Sequence, residues 1–220
     1  MRNKCFKRRG RSLTLLLALL LISSVGVAQD DWEFIRDKEG IKVYTRLNEG
    51  RSFKEFKSTM VINAELTSFL AVLQDVEALG DWGHNVKKVN LIRRSSDTLQ
   101  VYYAEAKAPF PYKNRDGVYL NRFIWDKNSQ TLVVEIEILD EAVDRDEELV
   151  RMSGYGSWIV SVLPDNTLNV IFQMQMDPGG SIPAWMANMF AGDSPYQTMK
   201  GMRKVINKKE YQGKQFPLLK

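Results

Sequence analysis

Hydrophobic and polar residues alternate with the period of a strand over most of the chain and change to the period of a helix in two places. Ile41-Lys42-Val43-Tyr44-Thr45 alternates directly after Gly40. Phe56, Ser58, Met60 and Ile62 share one parity, with Glu55 and Lys57 on the other, which predicts a half-buried strand. Further strands are predicted over residues 86–93, around Leu99, Val101 and Tyr103, and over 116–125, 132–139 and 155–163. In the last strand Val170, Phe172, Met174 and Met176 take one face, against Asn169, Gln173 and Gln175 on the other. Turn residues separate these segments, among them Ser95-Ser96-Asp97, Asp126-Lys127-Asn128-Ser129 and Pro164-Asp165-Asn166. Residues 32–36 form a short lead-in segment.

The first helical stretch is 64–74, where Leu66, Phe69, Leu70 and Leu73 recur at helical spacing and Asn63 is a candidate N-cap. The second begins near Ser181. Ile182, Trp185, Met186, Met189 and Phe190 form one stripe, and Met199, Met202 and Ile206 form another. Pro183 suits a first helical turn. Gly192-Asp193-Ser194-Pro195 is expected to kink or split this helix, because proline lacks the backbone donor. The sum is an α+β domain: an antiparallel sheet of about seven strands, an early helix and a late long one. No flexible linker and no repeat interrupts it. A curved sheet gripping a helix leaves room for a cavity between the two layers.

The start of the chain stands apart. Residues 1–28 hold six basic groups and no acid, then an apolar run from Leu13 to Ile22, then small residues ending Gly26-Val27-Ala28. This is the pattern of a signal peptide, with cleavage expected after Ala28 and residues 29–220 as one domain. The run is too short to span a bilayer, which takes about 20 apolar residues. Export to a periplasm or to the outside is expected. Removing this segment turns the formal charge of +4 into a slight negative excess, which argues against a nucleic-acid footprint. The single cysteine, Cys5, lies there too. The remainder therefore has no disulfide, thiolate metal site or cysteine nucleophile, and its stability must come from a hydrophobic core.

Little else is built for catalysis. His84 is the one histidine, too few for a His-rich metal site. Gly154-Tyr155-Gly156-Ser157-Trp158 lacks the third glycine of a dinucleotide loop and fails the nucleophile-elbow pattern, so its glycines read as strand or bulge positions. Asp140, Glu141, Asp144, Asp146, Glu147 and Glu148 make an acidic loop without the ligand order of a calcium hand. No metal or cofactor is expected. The cations after Lys200 suit a solvated helix end or an anionic surface. The unusual feature is soft apolar content. Eight of the nine methionines follow residue 28, six of them in the last fifty residues. Methionine adapts to irregular space and recurs at promiscuous apolar surfaces. Residues 107–114, with Pro109 and Pro111 flanking Phe110 and followed by Tyr112, form a stiffened loop with aromatics at its tip.

Four segments together carry a family resemblance. Pro109-Phe110-Pro111-Tyr112-Lys113-Asn114-Arg115-Asp116 resembles the P-x-P-x-x-x-R-D segment of START domains, the steroidogenic-acute-regulatory-related lipid-transfer family. Gly80-Asp81-Trp82-Gly83-His84-Asn85-Val86 resembles its tryptophan segment. Val150-Arg151 leading to Gly156-Ser157-Trp158-Ile159-Val160 follows, then Asp177-Pro178-Gly179-Gly180-Ser181-Ile182-Pro183-Ala184-Trp185, like the family's approach to its C-terminal helix. The resemblance spans about residues 31–208. It implies a helix-grip fold, a sheet wrapped around the C-terminal helix and an internal tunnel for one lipid or other apolar molecule. The helix and a loop matching 107–114 would gate it. His84 stands where members often have proline, and the cavity acid–arginine pair of cholesterol-binding members has no counterpart here. Sterol preference is therefore not carried over. The leader points to a bacterial, exported member.

These readings name candidate ligand-binding residues: Val170, Phe172, Met174, Met176, Trp185, Met186, Met189, Met199, Met202 and Tyr103. Phe110, Tyr112, Arg115 and Asp116 are the candidate gate, the last two as a structural pair or anchor. The expected function is non-enzymatic binding, and transfer, of a lipid or other apolar small molecule, with transient membrane contact. A monomer and no nucleic acid are expected. Two alternatives differ in class. An enzyme on the same fold, a cyclase, aromatase or hydrolase, would need His84, Tyr103 or Tyr155 facing the cavity. An envelope interaction module would have a collapsed interior.

Overall fold

The computed structural model describes residues 31–139 and 143–220. The segment 1–28 expected to be a signal peptide, with Asp140 and Glu141 of the acidic loop, lies outside the described residues. The alternating segments become ten strands: β1 (Glu33–Lys38), β2 (Ile41–Arg46), β3 (Glu55–Ile62), β4 (Val86–Ser95), β5 (Leu99–Ala106), β6 (Arg115–Asp126), β7 (Thr131–Leu139), β8 (Val150–Arg151), β9 (Ser153–Val162) and β10 (Leu168–Asp177). They form one sheet in the order β1-β2-β3-β10-β9-β7-β6-β5-β4, antiparallel along this path, with the short β8 parallel to β6. The helices are α1 (Leu66–Gln74), α2 (Leu79–Trp82) and α3 (Ala184–Val205), followed by 3-10 turns at Lys209–Tyr211 and Pro217–Leu219. A large curved antiparallel sheet holding a C-terminal helix is the helix-grip architecture expected.

The register sets what the sheet presents to the helix. Asn121, Ile136, Gly156, Met174 and Phe56 are successive partners across β6, β7, β9, β10 and β3. One pair further along the strands the row is Phe123, Val134, Trp158, Phe172 and Ser58. In the other direction it is Tyr102, Tyr119, Ile138, Gly154 and Met176. Because side chains alternate between faces, these rows share one face.

The packed core lies at one end of that face. Met199, Met202 and Ile206 at the end of α3 are fully buried, as are Phe69, Leu70 and Val72 of α1. They close over Ile41, Val43, Leu132, Val160, Leu168 and Val170 of the sheet. Trp158 stacks on Phe172 at 4.0 Å between centroids and meets Phe69 edge-on at 5.7 Å. Gly201 of α3 lies so close to α2 that a Cβ there would collide with the Trp82 carbonyl.

Four expectations need correction. The sheet has ten strands rather than about seven. The lead-in at 32–36 runs into the edge strand β1 from Glu33 onward, which is mostly exposed and so shows no alternation, and β8 is too short to have a period. α1 starts at Leu66 with Glu65 at the N-cap, not Asn63, and has no side-chain cap. On β5 both parities are apolar. Tyr102 and Ala104 face the helix side, while Val101 packs on the opposite face with Val118 and Leu120. Finally, α3 is one continuous helix. Pro183 sits at its cap and Pro195 inside it. Pro195 removes one helical hydrogen bond, but Pro195 and Tyr196 are both buried, and that packing holds the turn.

Candidate functional site

Away from the packed core, the first half of α3 lies over the sheet with few buried side chains. A cavity of about 280 Å³ lies between them. Its floor comes from the first and third rows above, with Asn121, Ile136 and Met174 from the first and Tyr102, Tyr119 and Met176 from the third, and Trp158 and Phe172 of the second row at one border. Ala187, Phe190 and Ala191 of α3 form the roof. Leu73, Val76, Leu79 and Trp82 close one side. The mouth is made by Lys107, Ala108 and Pro109 of the 107–114 loop and by Pro178 and Ile182 ahead of α3. Gly156, between Ile136 and Met174 in the register, lets β9 and β10 pack closely, since a Cβ there would collide with the Gln173 carbonyl and the Met174 side chain.

Few polar groups face this space. Tyr102 and Tyr119 stack with centroids 5.1 Å apart and planes within 9°. Burial pushes both phenols well above their ordinary range, so both stay protonated donors. Asn121 lies beside Tyr102 and opposes part of that rise, and its Oδ1 has no partner among the described residues. Trp82 Nε1, also buried on the wall, lacks one too.

The mouth is held by Arg115, which is buried. Its Nε donates to the Pro178 carbonyl at 3.2 Å, one terminal nitrogen donates to the Gly179 carbonyl at 3.3 Å, and the other to the Lys113 carbonyl. One guanidinium thus ties the 107–114 loop to the turn that starts α3. Burial lowers its pKa, opposed by the nearby Tyr112. Asp116 does not pair with Arg115, contrary to expectation, because consecutive residues on a strand point to opposite faces. It accepts two hydrogen bonds from Arg151, each 3.0 Å, with both side chains 3% exposed.

The other predicted residues divide. Phe172, Met174 and Met176 line the cavity. Val170 lies further along β10 in the packed core, and Met199 and Met202 are core residues at zero exposure. Trp185 and Met189 point outward, 67% and 60% exposed, and Met186 is half-buried but not on the wall. Tyr103 is on the face of β5 opposite to Tyr102, where burial, then Asp116 and Glu105, push its phenol up to about 12. Phe110 at the loop tip is 97% exposed, and Tyr112 is half-buried. His84 reaches the cavity edge, and its backbone N–H donates to Thr198 Oγ1 at 3.3 Å. Asp144, Asp146, Glu147 and Glu148 are exposed.

Several wall residues were not foreseen: Tyr102, Tyr119, Asn121, Ile136 and Trp158. A period-two reading of β6 places Tyr119 and Asn121 on a common face, but only the register with β7 brings Ile136 beside them, and nothing in the residues alone marks that face as the cavity floor.

The family model of the START domain matches residues 13–211. Among solved structures, the STAR-related lipid transfer protein of Xanthomonas axonopodis is 32% identical. That match covers 81% of this chain and all of the other, with a TM-score of 0.76. The human StAR-related lipid transfer protein 5 shares the fold at 16% identity and a TM-score of 0.69, covering 88% of this chain and 91% of its own. The rat phosphatidylcholine transfer protein is 28% identical over 180 residues, covering 80% of this chain and 83% of its own.

Proposed function

The chain belongs to the START domain family, and from that premise we propose that it binds a lipid or other apolar small molecule in the cavity and exchanges it at membranes, without catalysing a reaction. The observation that carries this reading is the internal space itself, walled largely by aromatic and aliphatic side chains. Enclosed apolar pockets with few polar groups are the usual form of small-molecule sites. The names of the rat and Xanthomonas relatives support a lipid as ligand.

The mechanism is a kinetic one. Each buried methylene gains about 0.8 kcal/mol relative to water. A membrane offers the same gain, so net transfer is close to neutral, and the protein lowers the barrier by keeping the ligand dry. At about 280 Å³ the cavity is near the lower limit of ligand pockets, about 300–1,000 Å³. A larger lipid enters with outward displacement of the first half of α3 and the 107–114 loop, which act as the gate. Phe110, Trp185 and Met189 make the transient membrane contact. Residues 1–28 are an export signal and residues 29–220 the working domain, a monomer in a bacterial periplasm or outside the cell.

Native mass spectrometry of protein purified from a bacterial periplasm without detergent tests this reading. A stoichiometric bound lipid is expected, named by solvent extraction. An apo mass that persists after incubation with mixed envelope lipids overturns it.

A further inference from the structure

The face of the sheet turned away from the cavity carries a second concavity, a groove of about 710 Å³. Leu120, Glu137, Tyr155 and Gln175 are successive partners across β6, β7, β9 and β10 and cross its floor. Arg122 and Glu135 are partners one row further along. These residues alternate with Asn121, Ile136, Gly156 and Met174 of the cavity side, so they take the opposite face. The turn from Gly50 to Phe53 makes one wall. That wall is fixed. Gln175, 5% exposed, donates to the Phe53 carbonyl at 2.9 Å and accepts from Asn48 at 3.1 Å, and the Ser52 carbonyl accepts from Asn188 of α3.

The chemistry around the groove selects its ligand. Its floor strands are paired on both sides, so they offer no free backbone row to an extended peptide, which docks at a sheet edge. Arg51 and Arg122 stand with Glu135, Glu137 and Asp177 around the same space. Among the described residues, Arg51, Arg122, Glu135 and Glu137 form no ion pairs. Such mixed charge favours neither an anion nor a cation. It suits a neutral ligand rich in hydroxyls, because a hydroxyl donates to a carboxylate and accepts from a guanidinium. The apolar part of the floor is the Tyr155 ring, 52% exposed, with Leu120 near it. An open aromatic face takes the C–H face of a flat ligand and keeps its polar tip in water. A sugar ring has both features, an apolar C–H face and a rim of hydroxyls. Four strands about 4.8 Å apart make the floor roughly 14 Å wide, room for a short oligosaccharide rather than one ring.

We propose that this groove is a second ligand site, which binds a neutral sugar chain with one ring stacked on Tyr155 and its hydroxyls held by Glu137, Glu135 and Arg122. It lies outside the lipid-binding reading and does not depend on it. The sugar is either a free or polymeric glycan or the headgroup of a glycolipid, and the groups recognised are the same.

The test titrates the purified protein with two neutral probes, cellotetraose and tetra-N-acetylchitotetraose, followed by saturation-transfer NMR. A parallel arm measures binding to phosphatidylcholine vesicles with and without a monoglucosyl diacylglycerol. At least one probe is expected to bind with a Kd below about 1 mM, with equal affinity at low and high salt. Tyr155→Ala should weaken that binding at least tenfold, and Tyr155→Phe should keep it within twofold. Glu137→Ala should weaken it at least fivefold, and decides the matter if Tyr155→Ala does not fold. Binding of a free tetrasaccharide supports the site with a free or polymeric glycan as its ligand. Binding of sugar-bearing vesicles alone, lost in the same variants, supports it with a glycolipid headgroup. No binding of sugar in either form, or binding that both alanine variants leave intact, overturns the site.

Discussion

The two halves of α3 are made of similar residues and live in different surroundings. After Pro195 the helix is an anchor: Tyr196, Met199, Met202 and Val205 are buried, and Gly201 lies against the backbone of Trp82. Before Gly192 no side chain of the helix is buried. That half is held by polar contacts. The Lys54 N–H donates to Asn188 Oδ1 at 2.7 Å, Asn188 Nδ2 donates to the Ser52 carbonyl at 3.3 Å, and Arg36 pairs with Asp193 at 2.9 Å. Apolar packing cannot be undone without exposing area to water. Polar contacts exchange for water with a small net change. One helix can thus be fixed at one end and displaceable at the other.

The sharpest test of this contrast applies one substitution in two places. Met202→Ala should cost about 2–5 kcal/mol, as core truncations do, and Met189→Ala less than about 0.5 kcal/mol, both read from urea melts. Comparable losses would dissolve the distinction. Gly201→Ala should cost about 1–3 kcal/mol by forcing α3 away from α2, seen as a lower melting temperature. The third test concerns Glu55, at the start of β3 beside Lys54. Burial alone would raise its pKa, but hydrogen bonds from Arg46, Asn48 and Gln173 outweigh burial and hold it below 4.5. A depressed folded pKa gives stability that is full above the unfolded value and is lost as pH falls through the folded one. Stability should therefore decline below about pH 4.5, and Glu55→Gln should flatten that decline in acid melts. The smallest stability effect is expected for Asn188→Ala, under about 1 kcal/mol. The same variant should speed lipid exchange with vesicles, and added salt should act in the same direction by screening Arg36 and Asp193. An unchanged exchange rate would mean that this half is not the moving part.

How far the sequence could be read follows the same line. Alternation located most strands, because a half-buried strand must alternate. It failed for β1, which is exposed along most of its length, and for β5, which is apolar on both faces. The methionine stripes of α3 were visible, but helical spacing cannot tell a stripe that meets the core from one that meets a cavity or solvent. Met199, Met186 and Met189 thus drew the same expectation and went to different places. Arg115 and Asp116 were identifiable as structural, and strand parity alone should have separated them. The cavity floor at Tyr119 and Asn121 became visible only once the strands were set in register.

Pro195 stands where the two halves meet. A helix normally forms and melts as a cooperative unit, because each hydrogen bond helps to hold the next. A proline takes one bond out of that chain. Melting that begins at Ala184 therefore meets a natural stop before it reaches Tyr196. The backbone amides of the first half should exchange with deuterium through local opening, while those beyond the proline wait for the whole domain to unfold. The helix then behaves as two clocks running at different rates.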